Sequence, residues 1–217
     1  MTNRLHRSML LTGLLAVVLW IVGLVVHEGL ADSLSESASD QQILAWVQGN
    51  TNYILTGGWL FMVGCLCFVW FLGALRARLL DAEGGAGTLA TIAFAGGLAT
   101  AIFGMLTQAG DLALAIDKDD VSAATAGALH HATDAFFVGA ELSAILLTVA
   151  TAVLALRSGV LPRWWAIFSL LLAVVLVIGP IGWAGLIFGV PIWTIGTSLQ
   201  LALGGGRRAR TPVATAP

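Results

Sequence analysis

The sequence predicts an all-α, polytopic transmembrane bundle of about six spans, with both termini in the cytoplasm. Of the 217 residues, 58% are hydrophobic and only 10% are charged, whereas a soluble domain carries about 25% charged residues. The hydrophobic residues form continuous runs, and a run of ~20 apolar residues crosses a bilayer as a helix. These unbroken runs favour helices over barrel strands, which would alternate apolar and polar residues.

Residues 1–204 are predicted to form a single bundle from six apolar segments. The first segment also resembles a secretory signal peptide, so retention as a span and cleavage are both open. The final block of 40 apolar residues is too long for one span and predicts a helical hairpin broken at Gly179-Pro180. Pro191 is expected to kink the last helix by removing a backbone donor. The predicted spans are residues 9–26, 53–75, 88–109, 134–156, 164–179 and 183–203, followed by a disordered cytoplasmic tail at 205–217.

Two polar stretches are predicted to form helices outside the spans. Ser39 and Gln42 have the spacing of a capping box, which indicates a short membrane-surface helix leading into the second span. Asp119 or Asp120 is the predicted N-cap of a second helix. This helix is expected to continue without a break into the fourth span and to project beyond the membrane.

The distribution of basic residues predicts the orientation. Of the ten basic residues, only Lys118 falls on one side of the six-span arrangement. The positive-inside rule makes that side the outer one. Most acidic residues fall on that outer side. The nine arginines on the opposite, cytoplasmic side are Arg4, Arg7, Arg76, Arg78, Arg157, Arg163, Arg207, Arg208 and Arg210.

The side chains suited to chemistry gather near the outer ends of the spans. His130, Asp134 and Glu141 are spaced by four and seven residues and therefore share one helical face. They predict an outward-facing polar pocket. Its candidate residues are Glu141, Asp134, His130, His131, His27, Glu28, Asp111 and Gln108.

Glu141 lies deepest of these residues, ~10 Å below Asp134 at the helical rise of ~1.5 Å per residue. A carboxylate at that depth is costly by a few kcal/mol, and no basic residue lies within any span to pair with it. A proton relay, a cation ligand and a contact for a polar substrate are the functional interpretations. The structural alternative is a protonated Glu141 hydrogen-bonded to a neighbouring helix.

His130, Asp134 and Glu141, with help from His27, offer ligand types that suit a divalent metal. The alternative is that these histidines are ordinary residues of the membrane interface. Haem is not expected, because no pair of histidines lies within the apolar spans at matched depth.

Small residues recur every four positions on the third and fourth spans and predict close helix packing. Packing within the bundle is the favoured interpretation, and contact with another subunit or a second copy is the alternative. The residues concerned are Gly96, Thr100, Gly104, Gly97, Gly139 and Ser143.

Two short stretches carry a resemblance to a known family. Residues 159–165, Gly-Val-Leu-Pro-Arg-Trp-Trp before an apolar hairpin, resemble a motif of the DUF4386-like family of bacterial six-span membrane proteins. Residues 129–135 are also similar to that family, and together the likeness covers roughly the second half of the chain. The resemblance implies a protein of the bacterial plasma (inner) membrane, and it supplies neither a biochemical role nor catalytic residues.

Three functions fit the pattern. The first is a non-enzymatic accessory, sensing or small transport module, favoured because no Walker loop, GxGxxG, GxSxG or HExxH motif occurs. The second is a membrane-embedded metal-dependent hydrolase using His130, Asp134 and Glu141. The third is a structural subunit docking on a larger membrane complex. The arginines of the tail indicate contact with anionic lipid, and no nucleic-acid partner is expected.

Overall fold

The computed structural model of the chain describes residues 2–31, 34–35 and 37–204. Throughout these residues the chain is helical, with turns between the helices and no strand. The predicted tail at 205–217 lies outside the described residues. In order, the helices are α1 (Thr2–Leu24, continued by a π-helical turn at Val25–Gly29), α2 (Asp40–Glu83), α3 (Thr88–Ile116), α4 (Ala123–Ser158), α5 (Arg163–Val177), α6 (Gly179–Ala184, continued by a π-helical turn at Gly185–Gly189) and α7 (Val190–Gly204).

Five helical segments in the described part of the chain are long and apolar enough to cross a membrane, which indicates a multi-pass membrane protein. These are Ser8–Gly29, Asp40–Glu83, Thr88–Ile116, Ala123–Ser158 and Gly179–Leu203. The sixth predicted span, 164–179, corresponds to α5, which has 15 residues and is therefore only about 22 Å long. It ends at the predicted break, because Ile178, directly before Gly179-Pro180, leaves the helical conformation (φ −84°, ψ 95°).

The predicted short helix and the second span follow each other directly in α2 and are separated by a kink. Ser39 forms the predicted capping box with Gln42, so that prediction is confirmed. The 44-residue helix bends where Asn50 has non-helical dihedrals (φ −114°, ψ 16°). Before this bend, Ile43 and Val47 pack in a small apolar cluster that includes Leu114 of α3 and Ala126 of α4. This packing holds the part of α2 before the kink against α3 and α4.

The outer helix and the fourth span are continuous, as predicted, and form the 36-residue α4. Its N-cap is Ser122 rather than Asp119 or Asp120, since the Ser122 hydroxyl accepts a hydrogen bond from the Thr125 amide at 3.2 Å. A serine hydroxyl caps as well as an aspartate, and here it lies one residue before the first helical residue. The helices α2, α3 and α4 are all much longer than a bilayer requires. The start of α2, the end of α3 and the start of α4 meet near the 117–122 turn and extend the bundle beyond the apolar spans.

The turn between α2 and α3 is held by Glu83, which lies beyond the apolar part of α2. Its carboxylate accepts hydrogen bonds from the amides of Ala90 (2.8 Å) and Leu89 (2.9 Å) at the start of α3. These backbone donors, that of Ala90 first, hold the pKa of Glu83 below its usual value. The contact places an acidic group at a helix N-terminus, where the backbone dipoles favour negative charge.

Glycines allow α1 and α2 to touch along their backbones. A Cβ atom added to Gly57 would lie 2.6 Å from the carbonyl oxygen of Gly23 and 2.6 Å from the amide nitrogen of His27. Gly64, two turns further along α2, would meet Trp20 and the Ala16 carbonyl in the same way. Such contacts are closer than any larger residue permits, so they fix the height and rotation of His27 against α2.

The small residues of α3 and α4 face several different neighbours within the chain. A Cβ atom on Gly96 would lie 2.7 Å from Leu146 of α4, and one on Gly139 would lie 2.7 Å from the Phe103 ring of α3. Gly97 faces Leu72 of α2. The Thr100 and Ser143 hydroxyls bond to carbonyls one turn earlier in their own helices, those of Gly96 and Gly139.

Two buried indoles hold the short helix α5 against α7. Trp165 Nε1 donates to Thr197 Oγ1 at 2.9 Å, and Trp193 Nε1 donates to Ser169 Oγ at 2.8 Å. Trp165 precedes Ser169 in α5, whereas its partner Thr197 follows Trp193 in α7, so the two helices are antiparallel.

The π-helical turn at Gly185–Gly189 ends two residues before Pro191, whose missing amide removes one donor from the regular helical pattern.

We expect Gly57→Ala to destabilise the protein by about 1–3 kcal/mol, because the new methyl group overlaps two backbone atoms of α1 that cannot move independently. Gly73→Ala is the matched control on the same helix, since its added methyl group meets nothing within 4 Å. Unfolding of both purified variants by sodium dodecyl sulfate in mixed micelles measures the difference. Equal stability of the two variants would contradict the close α1–α2 contact.

Candidate functional site

A cavity of about 710 Å³ lies between α1, α2, α3, α4 and the start of α7. One end carries polar side chains, and the remaining walls are mostly apolar and aromatic. Both π-helical turns border this cavity, one through His27 and the other through Leu186 and Ile187. Extra residues in π-helical turns frequently occur at functional sites, because they redirect side chains that a regular helix would point elsewhere. The deeper wall includes Trp20, Phe61, Cys65, Phe137 and Val190.

Asp111 occupies the centre of the polar end. Its side chain is buried, with 5% of the residue exposed, and its two oxygens face two different histidines. Oδ1 accepts a hydrogen bond from His130 Nδ1 at 2.9 Å, and Oδ2 lies 3.7 Å from His27 Nε2. One carboxylate therefore joins α1, α3 and α4. We call His27, Gln108, Asp111 and His130 the polar cluster.

The hydrogen bond between His27 and Gln108 fixes the proton on one imidazole nitrogen. His27 Nδ1 lies 2.8 Å from Gln108 Oε1, and an amide oxygen only accepts, so Nδ1 is the donor. Nε2 of the same ring faces the Asp111 carboxylate. His27 is 1% exposed, and its Nε2 has no hydrogen-bond partner among the described residues.

Trp46 holds both histidine rings from the α2 side. The His27 ring is stacked on the indole with 6.0 Å between ring centroids and 25° between planes, and the His130 ring meets it edge-on at 6.1 Å. Both rings are thus restricted in rotation. The bend of α2 at Asn50, one turn after Trp46, brings the indole into this position.

The remaining predicted residues divide into two groups. Glu28, His131 and Asp134 border the cavity and are exposed. Glu141 is buried, with 7% exposed, but it does not border the cavity. Instead, its carboxylate packs on Gly182 of α6, where an added Cβ atom would lie 3.1 Å from both carboxylate oxygens. Within the described residues, no group of three or more histidine, cysteine, aspartate or glutamate side chains could hold a metal ion, so His130, Asp134 and Glu141 do not converge on one point.

Sequence reasoning included Asp111 in the pocket but did not identify it as the centre. Gln108 and Asp111 are three residues apart on α3 and therefore share a face, which is a signal that the sequence does contain. The contribution of Trp46 had no comparable signal, because it depends on α2 bending back over the ends of α3 and α4.

The polar end can exchange hydrogen bonds and protons with a bound molecule. It combines the carboxylates of Glu28, Asp111 and Asp134 with three imidazoles, and in the described part of the chain no lysine or arginine borders the cavity. Comparison of the chain with protein-family models, with curated proteins and with solved structures finds no match. The resemblance to the DUF4386-like family accordingly stays a prediction, and the function is argued from the cavity itself.

We expect Gln108→Leu to cost about 1–3 kcal/mol of stability, because it leaves a buried imidazole N–H without its acceptor. The matched control is Gln48→Leu, which removes an exposed hydrogen bond to the Lys118 carbonyl and should change stability far less. The same unfolding titration in mixed micelles compares the two. A smaller loss for Gln108→Leu than for Gln48→Leu would contradict the assigned His27 bond.

Proposed function

We propose that this is a six-span protein of a bacterial inner membrane that binds a small molecule in the cavity from the outer side. It works as a small transport or sensing module, or as an accessory subunit, rather than as an enzyme. The observation that carries the proposal is the cavity, because a volume of about 710 Å³ is within the range of small-molecule sites. Its mostly apolar lining with a few convergent polar groups is also typical of them.

The arginines support this orientation. Arg76, Arg157 and Arg163 belong to one end of the bundle, whereas Lys118 lies in the turn at the other end, near the polar cluster. The positive-inside rule then assigns the cavity mouth to the outer side. In this arrangement α5 is the sixth span. It is short, and its first half is joined to α7 by the hydrogen bonds of Trp165 to Thr197 and of Trp193 to Ser169.

Two observations weigh against the other functions considered. A metal-dependent hydrolase would need His130, Asp134 and a third ligand within ~2.0–2.2 Å of one ion, whereas His130 bonds to Asp111 and Glu141 packs on Gly182. A docking subunit would use the small-residue stripes of α3 and α4 as a free surface. Gly96 and Gly139 instead contact α4 and α3 of the same chain.

We expect a cysteine at Gly104 to react with a membrane-impermeant methanethiosulfonate applied to the outside of intact cells. Gly104 borders the cavity, and its added Cβ would meet nothing closer than Cys65 Sγ at 3.6 Å. The background is Cys65→Ala with Cys67→Ala, which removes both native thiols. Labelling is read by mass spectrometry of the purified protein.

The control is Ile102→Cys in the same background. Ile102 is two residues away, at nearly the same depth on α3, but it is 50% exposed on the outside of the bundle, where lipid would surround it. Labelling of Gly104→Cys alone supports an outward water-filled pocket. No labelling of Gly104→Cys, or labelling only in inside-out vesicles, would overturn the proposal.

A further inference from the structure

The charges around the cavity point to the kind of molecule it accepts. Glu28, Asp111 and Asp134 border it, and among the described lining residues there is no lysine or arginine to balance them. The remaining ionisable groups at the polar end are the imidazoles of His27, His130 and His131. An anionic head group would face three carboxylates here, and a cationic one would be attracted to them.

A second observation concerns the contact between His27 and Asp111. His27 Nε2 is buried, has no hydrogen-bond partner in the described residues, and lies 3.7 Å from Asp111 Oδ2. This distance is too long for a hydrogen bond. An N–H donor of a ligand can approach the Asp111 carboxylate from the cavity. A buried polar group gains from each hydrogen bond that it makes, so a cationic N–H donor suits this position.

Aromatic walls supply the third element. Trp46 lies beside the polar cluster, and Trp20, Phe61 and Phe137 border the deeper part of the cavity. Faces of aromatic rings attract cations, most strongly where water is excluded. They also accept flat apolar groups, so both ends of an amphipathic cation find a complementary surface.

We propose that the ligand of this cavity is an amphipathic organic cation with N–H donors, whose charged group lies against the Asp111 carboxylate and whose apolar body fills the aromatic part. The inference rests on the proposed outward-facing pocket and names its ligand class. Carboxylates, phosphates and sulfonates are the excluded head groups.

Protons compete with such a cation. The titratable groups facing the site are His27 and Glu28 from α1, Asp111 from α3, and His130, His131 and Asp134 from α4. Among the described lining residues, α2 adds only the thiol of Cys65 to these titratable groups, and the start of α7 adds none. A proton gained by any imidazole at the site would place a positive charge beside the ligand and repel it. Affinity should therefore be lower at pH 5 than at pH 8.

Ethidium is a suitable probe, because it is a flat aromatic cation with exocyclic amino groups. We expect saturable binding to the purified full chain in dodecyl maltoside, measured by fluorescence anisotropy, and weaker binding at pH 5. Asp111→Asn should weaken it at least about tenfold, whereas Asp119→Asn, in the exposed 117–120 turn, should leave it unchanged. The aromatic sulfonate 8-anilinonaphthalene-1-sulfonate should not bind at the same site, so it should not displace ethidium.

A kinetic comparison covers the case in which Asp111→Asn fails to fold in detergent. In intact cells, Gly104→Cys is treated with a trimethylammonium and with a sulfonate methanethiosulfonate. The ratio of the trimethylammonium rate to the sulfonate rate should be higher at Gly104→Cys than at Asp119→Cys, an exposed thiol in the same background, because the cavity favours the cation.

The outcomes separate the two proposals. Equal rate ratios at the two cysteines, ethidium binding that is indifferent to Asp111→Asn, or absent ethidium binding would overturn the cation inference while a labelled Gly104→Cys still supports an outward pocket. An unlabelled Gly104→Cys would overturn the pocket itself.

Discussion

A buried carboxylate in a membrane-embedded bundle needs compensating neighbours, and Asp111 faces imidazoles from two other helices. Its oxygens face His130 of α4 and His27 at the end of α1, while Gln108 on its own helix bonds to His27. An ionised group away from water is costly unless neighbouring groups compensate it. The relative rotation of α1, α3 and α4 is therefore restricted to arrangements in which this carboxylate meets both rings.

The contact of α1 with α2 is the second part of the same constraint. Because Gly23 and Gly57 let the two backbones touch, His27 lies close enough to α2 for its ring to stack on Trp46. The π-helical turn at Val25–Gly29 then orients His27 toward α3. Helix packing, local helix irregularity and side-chain pairing thus cooperate to leave a cavity with one polar end, which a regular bundle of the same helices would fill.

Much of the fold could be predicted from the sequence, because apolar runs and capping patterns are local signals. The capping box at Ser39 and the unbroken α4 are examples. The end of α5 is a further example, because Gly179-Pro180 marks a break in the apolar run and Ile178 leaves the helical conformation directly before it. The polar residues around Asn50 suggest a break, and α2 does lose its helical dihedrals there. The packing of Ile43 and Val47 with Leu114 of α3 and Ala126 of α4 could not be predicted, because it depends on how the chain turns at that kink.

The candidate site was predicted only in part for a related reason. Spacing along one helix placed His130, Asp134 and Glu141 on a common face, but a shared face does not determine which helix each residue meets. Glu141 meets Gly182 of α6, and His130 meets Asp111 of α3. Such pairings depend on where glycines allow close approach between helices, and that information is distributed over several distant parts of the chain.

The central claim is that one carboxylate lies between two imidazoles from different helices. Nitrogen NMR of the protein labelled with ¹⁵N-histidine tests it directly, with the His27 and His130 signals assigned by His27→Gln and His130→Gln. On introducing Asp111→Asn, the ring nitrogens of both His27 and His130 should shift strongly, and those of the exposed His131 should shift much less. An unchanged His27 or an unchanged His130 signal would contradict the claim.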